Sequence, residues 1–102
     1  MKTAKMIRDL SGPDWSGTVY LYQLSEPIEY TRFEEVDDDY VELELAAEFV
    51  ISSGTNVMFS GPETLIFPAD EDGEVTSWCE IGGSRGYIDP DRAIREAGYE
   101  VI

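Results

Sequence analysis

Apolar and acidic residues alternate along residues 40–52 of the chain. Apolar side chains hold the odd positions and glutamates most of the even ones: Val41, Leu43, Leu45, Ala47, Phe49 and Ile51 against Glu42, Glu44 and Glu48. Successive side chains of a strand point to opposite faces, so the pattern predicts a long strand with glutamates about 7 Å apart on its solvent side. We predict that Leu43, Leu45 and Phe49 are buried.

Other segments also favour strands. Residues 18–24 are rich in Val, Tyr and Leu and end in a turn at Ser-Glu-Pro. Residues 55–59 and 64–68 flank a second turn. The Asp-Glu-Asp-Gly sequence at 70–73 predicts a hairpin, because glycine supplies the positive φ that such turns need, and residues 74–81 would form its second strand.

Residues 89–98 predict the clearest helix. Asp89 can cap the free N–H groups, Pro90 suits the first helical position, and Gly98 ends the helix. Its apolar stripe would consist of Ala93, Ile94 and Ala97.

The two ends of the chain are predicted to differ. Residues 99–102 favour a short closing strand. Residues 1–10 place Ala4, Ile7 and Leu10 at helical spacing, which indicates a short amphipathic helix.

The predicted fold is a single α+β domain over residues 1–102. A small, twisted antiparallel sheet of five or six strands, able to curl towards a barrel, would carry one C-terminal helix. The apolar fraction of 42% is sufficient for one core. The predicted core residues are Val19, Leu21, Leu43, Leu45, Phe49, Ile51, Leu65, Phe67, Trp78, Ile81 and Ile94.

Carboxylates dominate the middle of the chain. Between Arg32 and Arg85, fifty-two residues include fourteen acids and no lysine, arginine or histidine, and the net charge of the chain is −15. Such charge repels nucleic acid and anionic membranes and attracts basic surfaces. The densest run, residues 34–39, is predicted to be a mobile loop. The candidate binding residues are Glu34, Glu35, Asp37, Asp38, Asp39, Glu42, Glu44 and Glu48.

Side chains suited to catalysis are scarce. The chain has no histidine, the commonest general base and metal ligand. Its single cysteine, Cys79, follows Trp78 in a predicted strand, where a buried structural thiol is expected. Exposed pairs such as Glu42 and Glu44 lack the apolar pocket that acid–base chemistry needs. We therefore expect a protein that is not an enzyme and has no cofactor.

Two short motifs suggest ligands but match them poorly. The Asp-Glu-Asp-Gly at 70–73 is similar to part of an EF-hand loop, yet that alignment puts Pro68 and Cys79 where the first and last ligands should be. We expect no dedicated metal site, and loose binding of a divalent cation at residues 37–39 stays open. The glycine-rich residues 82–86 lack the P-loop lysine and favour a flexible connector over a phosphate cradle.

Several segments together resemble a group of small uncharacterised acidic proteins common in bacteriophage and prophage genomes. They are residues 1–7 (Met-Lys-Thr-Ala-Lys-Met-Ile), 59–64 (Phe-Ser-Gly-Pro-Glu-Thr), 66–75 with Trp78, and 96–101 (Glu-Ala-Gly-Tyr-Glu-Val). The resemblance implies a phage setting and no catalytic activity. It covers about half of the chain, and residues 32–51 are longer and more acidic here than the group's pattern.

These observations predict a non-catalytic, phage-encoded acidic binding protein. Its partner would be a basic protein surface, on a host nucleic-acid-binding or defence protein that the carboxylates inhibit by mimicking DNA. The alternatives are a virion or assembly component, or an acidic surface that serves solubility only. We expect a cytoplasmic monomer or homodimer that binds neither nucleic acid nor membrane directly, since no signal peptide or membrane span is evident.

Overall fold

Five strands and one short helix form the computed structural model, which describes residues 1–12, 17–57, 59, 61–78 and 80–102. The strands lie in one curled sheet, a half-barrel, in the order β4-β3-β2-β1-β5. All neighbouring pairs are antiparallel except β1 with β5, so the sheet is mixed and the prediction of a purely antiparallel sheet is wrong. The elements are β1 (Thr3–Asp9), β2 (Thr18–Val36), β3 (Asp39–Val57), β4 (Gly61–Ala69), α1 (Pro90–Glu96) and β5 (Glu100–Val101).

The N-terminal segment is a strand, so the predicted amphipathic helix is wrong. β1 pairs with β2 on one side, where Ala4 lies opposite Leu24, and with β5 on the other, where Ala4 lies opposite Val101. Ala4 is fully buried between them. Ladder hydrogen bonds to two neighbours outweigh a weak helical spacing, because short isolated helices are marginal in water.

Strands β2 and β3 are longer than predicted and form one continuous hairpin. β1 covers β2 only as far as Leu24, and β4 covers β3 only from Phe49 onwards. Residues 28–36 and 39–47 therefore pair only with each other, and we call this two-stranded extension the ribbon. At about 3.3 Å per residue it is roughly 25 to 30 Å long.

A tight turn closes the ribbon, and the predicted mobile loop at 34–39 is wrong. Asp37 and Asp38 are its two central residues, with φ angles of 51° and 67°, between the paired residues Val36 and Asp39. Two consecutive positive φ angles are typical of a type I′ turn, whose twist matches that of the flanking strands. Aspartate tolerates this backbone region better than most residues.

The central part of the sheet is buried on both faces. The helix covers one face, and a second apolar cluster covers the other. On the helix side, Tyr22, Val50 and Ile66 pack with Ile94 of α1. On the opposite side, Leu21 and Ile51 pack with Leu10 and other residues that lie outside the central strands. Consequently both odd and even positions of β3 are buried between Val50 and Gly54. The strand is half-buried only further towards the ribbon.

The predicted core is confirmed in part. Leu43, Leu45, Phe49 and Leu65 are only half-buried. Trp78 is 69% exposed and its predicted burial is wrong. Its ring lies edge-on against Phe67 at a centroid distance of 5.3 Å, so the indole covers the rim of the core. The predicted core residues that are buried are Val19, Leu21, Ile51, Phe67, Ile81 and Ile94.

The segment after β4 contains the predicted turn without the predicted strand. The Asp70 carboxylate accepts hydrogen bonds from the backbone N–H groups of Asp72 and Glu74, each at 3.0 Å, and Gly73 adopts a φ of 86°. One isolated bridge then joins Val75 to Ala69. Residues 76–78 and 80–81 run along the edge of β4 without forming a strand. Single backbone hydrogen bonds, from Thr76 to Pro68 and from Ile81 to Ile66, hold them there in place of a continuous ladder.

The predicted helix and closing strand are confirmed. Asp89 caps α1 by accepting a hydrogen bond from the Arg92 backbone N–H at 3.1 Å, with Pro90 in the first helical position. Ala93 and Ile94 are buried against the sheet. Gly98 follows the helix with a φ of 100°, and β5 then pairs in parallel with β1.

Two tyrosines next to this helix make the stability of the fold depend on pH in the alkaline range. Burial, together with the hydrogen bond that its hydroxyl donates to Asp91, raises the pKa of Tyr22 above its ordinary value of 10.0. Burial and a hydrogen bond to Glu96 raise the pKa of Tyr87 to about 12. A tyrosine whose pKa is higher in the folded state than in the unfolded state stabilises the fold fully below pH 10. This stabilisation is lost as the pH rises further, because the unfolded chain then loses the tyrosine proton before the folded chain does.

We expect the free energy of unfolding to fall between about pH 10 and pH 12 and to fall less steeply in Tyr22→Phe. The variant also loses the hydrogen bond to Asp91, so its stability at pH 7 is lower. Urea unfolding at pH 7, 9, 10 and 11 measures both effects. An unchanged alkaline slope in Tyr22→Phe would contradict the assignment of the titration to this residue.

Candidate protein-binding surface

The ribbon has two faces of different chemistry, which follow from its register. Residues directly opposite each other in an antiparallel pair lie on the same face. Phe33 is opposite Glu42, and Glu35 is opposite Tyr40. We call the face that carries these pairs the acidic face. It consists of Glu29, Thr31, Phe33, Glu35, Tyr40, Glu42, Glu44 and Ala46.

The other face, here the apolar face, continues the core. At its base Ile28, Tyr30 and Ala47 belong to or pack against the helix-side cluster. Its outer part leaves Val36 and Val41 exposed, because the ribbon extends beyond the helix. The face consists of Ile28, Tyr30, Arg32, Glu34, Val36, Asp39, Val41, Leu43, Leu45 and Ala47.

The predicted alternation is confirmed in phase for residues 41–47 and only partly in burial. Beyond them the phase changes: Ala47 belongs to the helix-side cluster, whereas Phe49 and Ile51 pack in the cluster on the opposite side of the sheet. Glu42, Glu44 and Glu48 are exposed as predicted. Leu43 and Leu45 lie on the apolar face and are half-buried, since no other described element covers that part of the ribbon.

The eight predicted binding carboxylates do not form one surface. Glu35, Glu42 and Glu44 lie together on the acidic face, and Glu34 and Asp39 lie on the apolar face. Asp37 and Asp38 project from the turn at the tip, and Glu48 lies at the base of the ribbon.

Two of these carboxylates have partners within the chain. Glu34 is ion-paired with Arg32, and Glu48 accepts a hydrogen bond from the Gln23 side-chain amide at 3.1 Å. Arg32 is the only cation of the ribbon, and it lies on the apolar face. The acidic face therefore carries four negative charges and no positive charge of its own.

The sequence reading did not identify the aromatic residues of the acidic face. Phe33 is 66% exposed and Tyr40 is 76% exposed, so both rings are accessible between carboxylates. Tyr40 occupies an even position like Glu42 and Glu44, so the alternation of β3 could have placed it on their face. No such pattern was available for Phe33, because the continuation of β2 through residues 28–36 was not predicted.

This combination of groups is suited to protein binding. Exposed aromatic side chains provide large contact areas with little conformational entropy to lose, and they are enriched at protein interfaces. Carboxylates around them speed association with a basic partner and select against acidic ones. Along each strand, side chains of the same face repeat about every 7 Å.

The described residues contain no group of three or more His, Cys, Asp or Glu side chains placed to hold a metal ion. Cys79 lies outside the described residues, so its predicted burial stays a prediction. In the part of the chain that is described, no helix is long and apolar enough to cross a membrane.

The glycine-rich loop at 82–86 is folded around its own arginine. The Arg85 guanidinium donates to the carbonyl oxygens of Gly83 at 3.2 Å and Ile81 at 3.4 Å, and it lies 3.8 Å from the Glu96 carboxylate. The backbone of Arg85 also forms a bridge with Thr64 of β4. The loop is thus a fixed connector on the edge of β4, and its cation is already engaged.

Comparison with known proteins gives no further assignment: the chain matches no protein-family model, no curated protein and no solved structure. The resemblance to small phage proteins thus stays a prediction. The fold and the ribbon are the observations on which a function has to be based.

Proposed function

We propose that the protein is a non-catalytic binding protein whose acidic face docks on a basic surface of another protein. The observation that carries this proposal is the composition of that face, in which Phe33 and Tyr40 are exposed among Glu29, Glu35, Glu42 and Glu44. Solubility requires only the charges, whereas two exposed rings placed between them add the contact area that a protein partner uses.

The class of partner that best suits this face is a nucleic-acid-binding protein. Such proteins present lysines and arginines spaced to neutralise phosphates. The carboxylates that two paired strands place on the acidic face offer a comparable series of negative charges. Together with the resemblance to phage proteins, this favours an inhibitor of a host DNA-binding or defence protein that acts as a DNA mimic in the host cytoplasm.

An assembly or virion role is the second candidate, favoured by the apolar face. Val36 and Val41 are exposed there, and the Arg32 Nε is buried without a hydrogen-bond partner among the described residues. A neighbouring subunit covering this face would bury the valines and supply an acceptor. A mimic is expected to be absent from purified particles, whereas an assembly component is expected to co-purify with them.

The test of the proposed function compares three variants that each remove charge from a different place. The first replaces Glu35, Glu42 and Glu44 of the acidic face with Gln. The second replaces Asp37, Asp38 and Asp39 at the tip with Asn, which tolerates the positive φ of the turn. The control replaces Glu71, Glu74 and Glu80, three exposed acids outside the ribbon, with Gln.

Each immobilised variant is incubated with a bacterial lysate at about 50 mM and 200 mM salt, and retained proteins are eluted with excess duplex DNA. We expect the parent to retain a basic protein at low salt and to lose most of it at high salt. The acidic-face variant should bind that protein roughly tenfold more weakly. The control should bind like the parent, and all variants should be at least as stable, because repulsion is reduced.

Equal binding by the parent, the acidic-face variant and the control would contradict the proposal and would leave solubility as the role of the charge. Weakening confined to the tip variant would move the contact to Asp37, Asp38 and Asp39. A partner that DNA fails to displace would contradict mimicry while retaining binding to a basic surface.

A further inference from the structure

Four residues of the acidic face form a block in which rings and carboxylates alternate in both directions. Phe33 faces Glu42 across the ribbon, and Tyr40 faces Glu35 across it. Along β2, Phe33 and Glu35 are two residues apart, and along β3 so are Tyr40 and Glu42. Side chains directly opposite have Cβ atoms about 5 Å apart, and neighbours along a strand are about 7 Å apart. Each ring therefore has one carboxylate across the ribbon and another beside it.

A ring next to a carboxylate selects among cations. A guanidinium group can stack on an aromatic face while its N–H groups donate to a neighbouring carboxylate, because it is planar and weakly hydrated. An ammonium group is a compact, strongly hydrated charge that gains less from the ring. Both rings of the block are more than half exposed, so a partner side chain can reach them. The block carries two negative charges, which complement two cations.

We infer that the acidic face recognises arginine rather than lysine, through two arginines that are separated by one residue in an extended segment of the partner. In an extended chain, side chains at positions i and i+2 lie on the same side about 7 Å apart. That spacing equals the distance between the Phe33–Glu42 pair and the Tyr40–Glu35 pair along the ribbon. This inference rests on the proposed function and specifies the chemistry of the partner.

The test uses two defined peptides of equal charge and length, one with an Arg-Ser-Arg centre and one with a Lys-Ser-Lys centre, both flanked by Gly and Ser. Binding to the isotopically labelled parent is titrated at about 50 mM salt and followed by backbone amide chemical shifts, which detect weak complexes. We expect the arginine peptide to bind roughly fivefold or more tightly than the lysine peptide, with the largest shifts in residues 33–35 and 40–42.

The variant that isolates the rings is Phe33→Leu with Tyr40→Leu, which keeps apolar area and removes both π faces. It should reduce the preference for arginine to about one while leaving the affinity for the lysine peptide within about twofold. Phe59→Leu is the matched control, because Phe59 is fully exposed and lies outside the ribbon. It should retain the parent's preference.

Equal affinity of the parent for the two peptides overturns the inference and leaves the proposed function standing, because charge alone would then select the partner. An unchanged arginine preference in the Phe33→Leu, Tyr40→Leu variant overturns it as well. A third peptide, with the arginines three residues apart, should bind more weakly than Arg-Ser-Arg, and stronger binding of that peptide would contradict the extended geometry.

Discussion

Val50→Asp should abolish the folded state. Val50 is 1% exposed and packs in the helix-side cluster with Tyr22 and Ile66. The substitution removes apolar packing and puts an unpaired carboxylate in the core, and such changes exceed about 4 kcal/mol. A chain with a net charge of −15 has less stability to lose, because its compact state already contains strong repulsion. Circular dichroism should show no cooperative thermal transition.

The same substitution elsewhere in β3 provides the control. Leu45→Asp falls on the half-buried apolar face of the ribbon, where the new carboxylate keeps contact with water. We expect a loss of about 1 kcal/mol and a normal cooperative transition in urea. The alternation of residues 40–52 by itself places Leu45 in the core and predicts that Leu45→Asp unfolds the protein. The pair of variants therefore tests whether Leu45 belongs to the core or to the half-buried face of the ribbon. Unfolding by Leu45→Asp would mean that the ribbon is part of the core.

Gly17→Ala should be the most damaging glycine substitution. Gly17 has a φ of 88°, and a Cβ atom at this position would lie 2.1 Å from the carbonyl oxygen of Gly54. Gly54 belongs to β3, and it forms the first pair of the β2–β3 ladder with Thr18, the residue after Gly17. Because neither strand can move without breaking the ladder, we expect a loss of more than about 3 kcal/mol.

Gly83→Ala separates backbone strain from the steric clash. Gly83 has a similar φ of 74°, and an added Cβ would have no neighbour within 4 Å. Strain alone predicts a loss of about 1 to 2 kcal/mol. Comparable midpoints for the two variants in urea unfolding would show that the close approach of Gly17 to Gly54 is not what limits the substitution.

The parts of the fold that sequence predicted correctly are those decided by local chemistry. Asp89 and Pro90 start the helix and Gly98 follows its end, because capping and backbone preferences act within a few residues. The turn at Asp70 and Gly73 belongs to the same kind of structure. The alternation around Leu43 and Glu44 predicted the phase of β3 as far as Ala47 for the same reason.

The parts that it missed depend on neighbours distant in sequence. Thr3–Asp9 form a strand because β2 and β5 flank them, and nothing within the segment encodes those partners. The burial of Ser52 beside Ile51 follows from packing on both faces of the sheet, which a period-two pattern cannot express. Trp78 was predicted to be a core residue in a strand over residues 74–81, whereas it covers the edge of the core.

The sequence predicted which part of the chain carries the negative charge of the candidate site, but it did not predict which side chains lie together on one face. Counting acids identified the Glu34–Glu48 region, but only the continuation of β2 to Val36 shows that Glu34 and Glu35 lie on opposite faces. The register also brings Phe33 next to Glu42, nine positions along the chain. Composition measures how many charges are present, and pairing decides which of them a partner can contact together.

The parallel pairing of β1 with β5 has a kinetic consequence. Thr3 pairs with Glu100 and Ala4 with Val101, and the bonds from Glu100 to Lys2 and from Ile102 to Ala4 are each 2.9 Å long. Contacts between residues so distant in sequence form slowly, because a long loop must close before they stabilise the chain. Until β5 docks, the whole edge of β1 is open to the strand of another molecule, and after docking β5 covers this edge only at Thr3 and Ala4. Lys5 and Arg8 on β1 are side chains of the kind that blunt such an edge, so we expect their charge to oppose pairing with a second molecule.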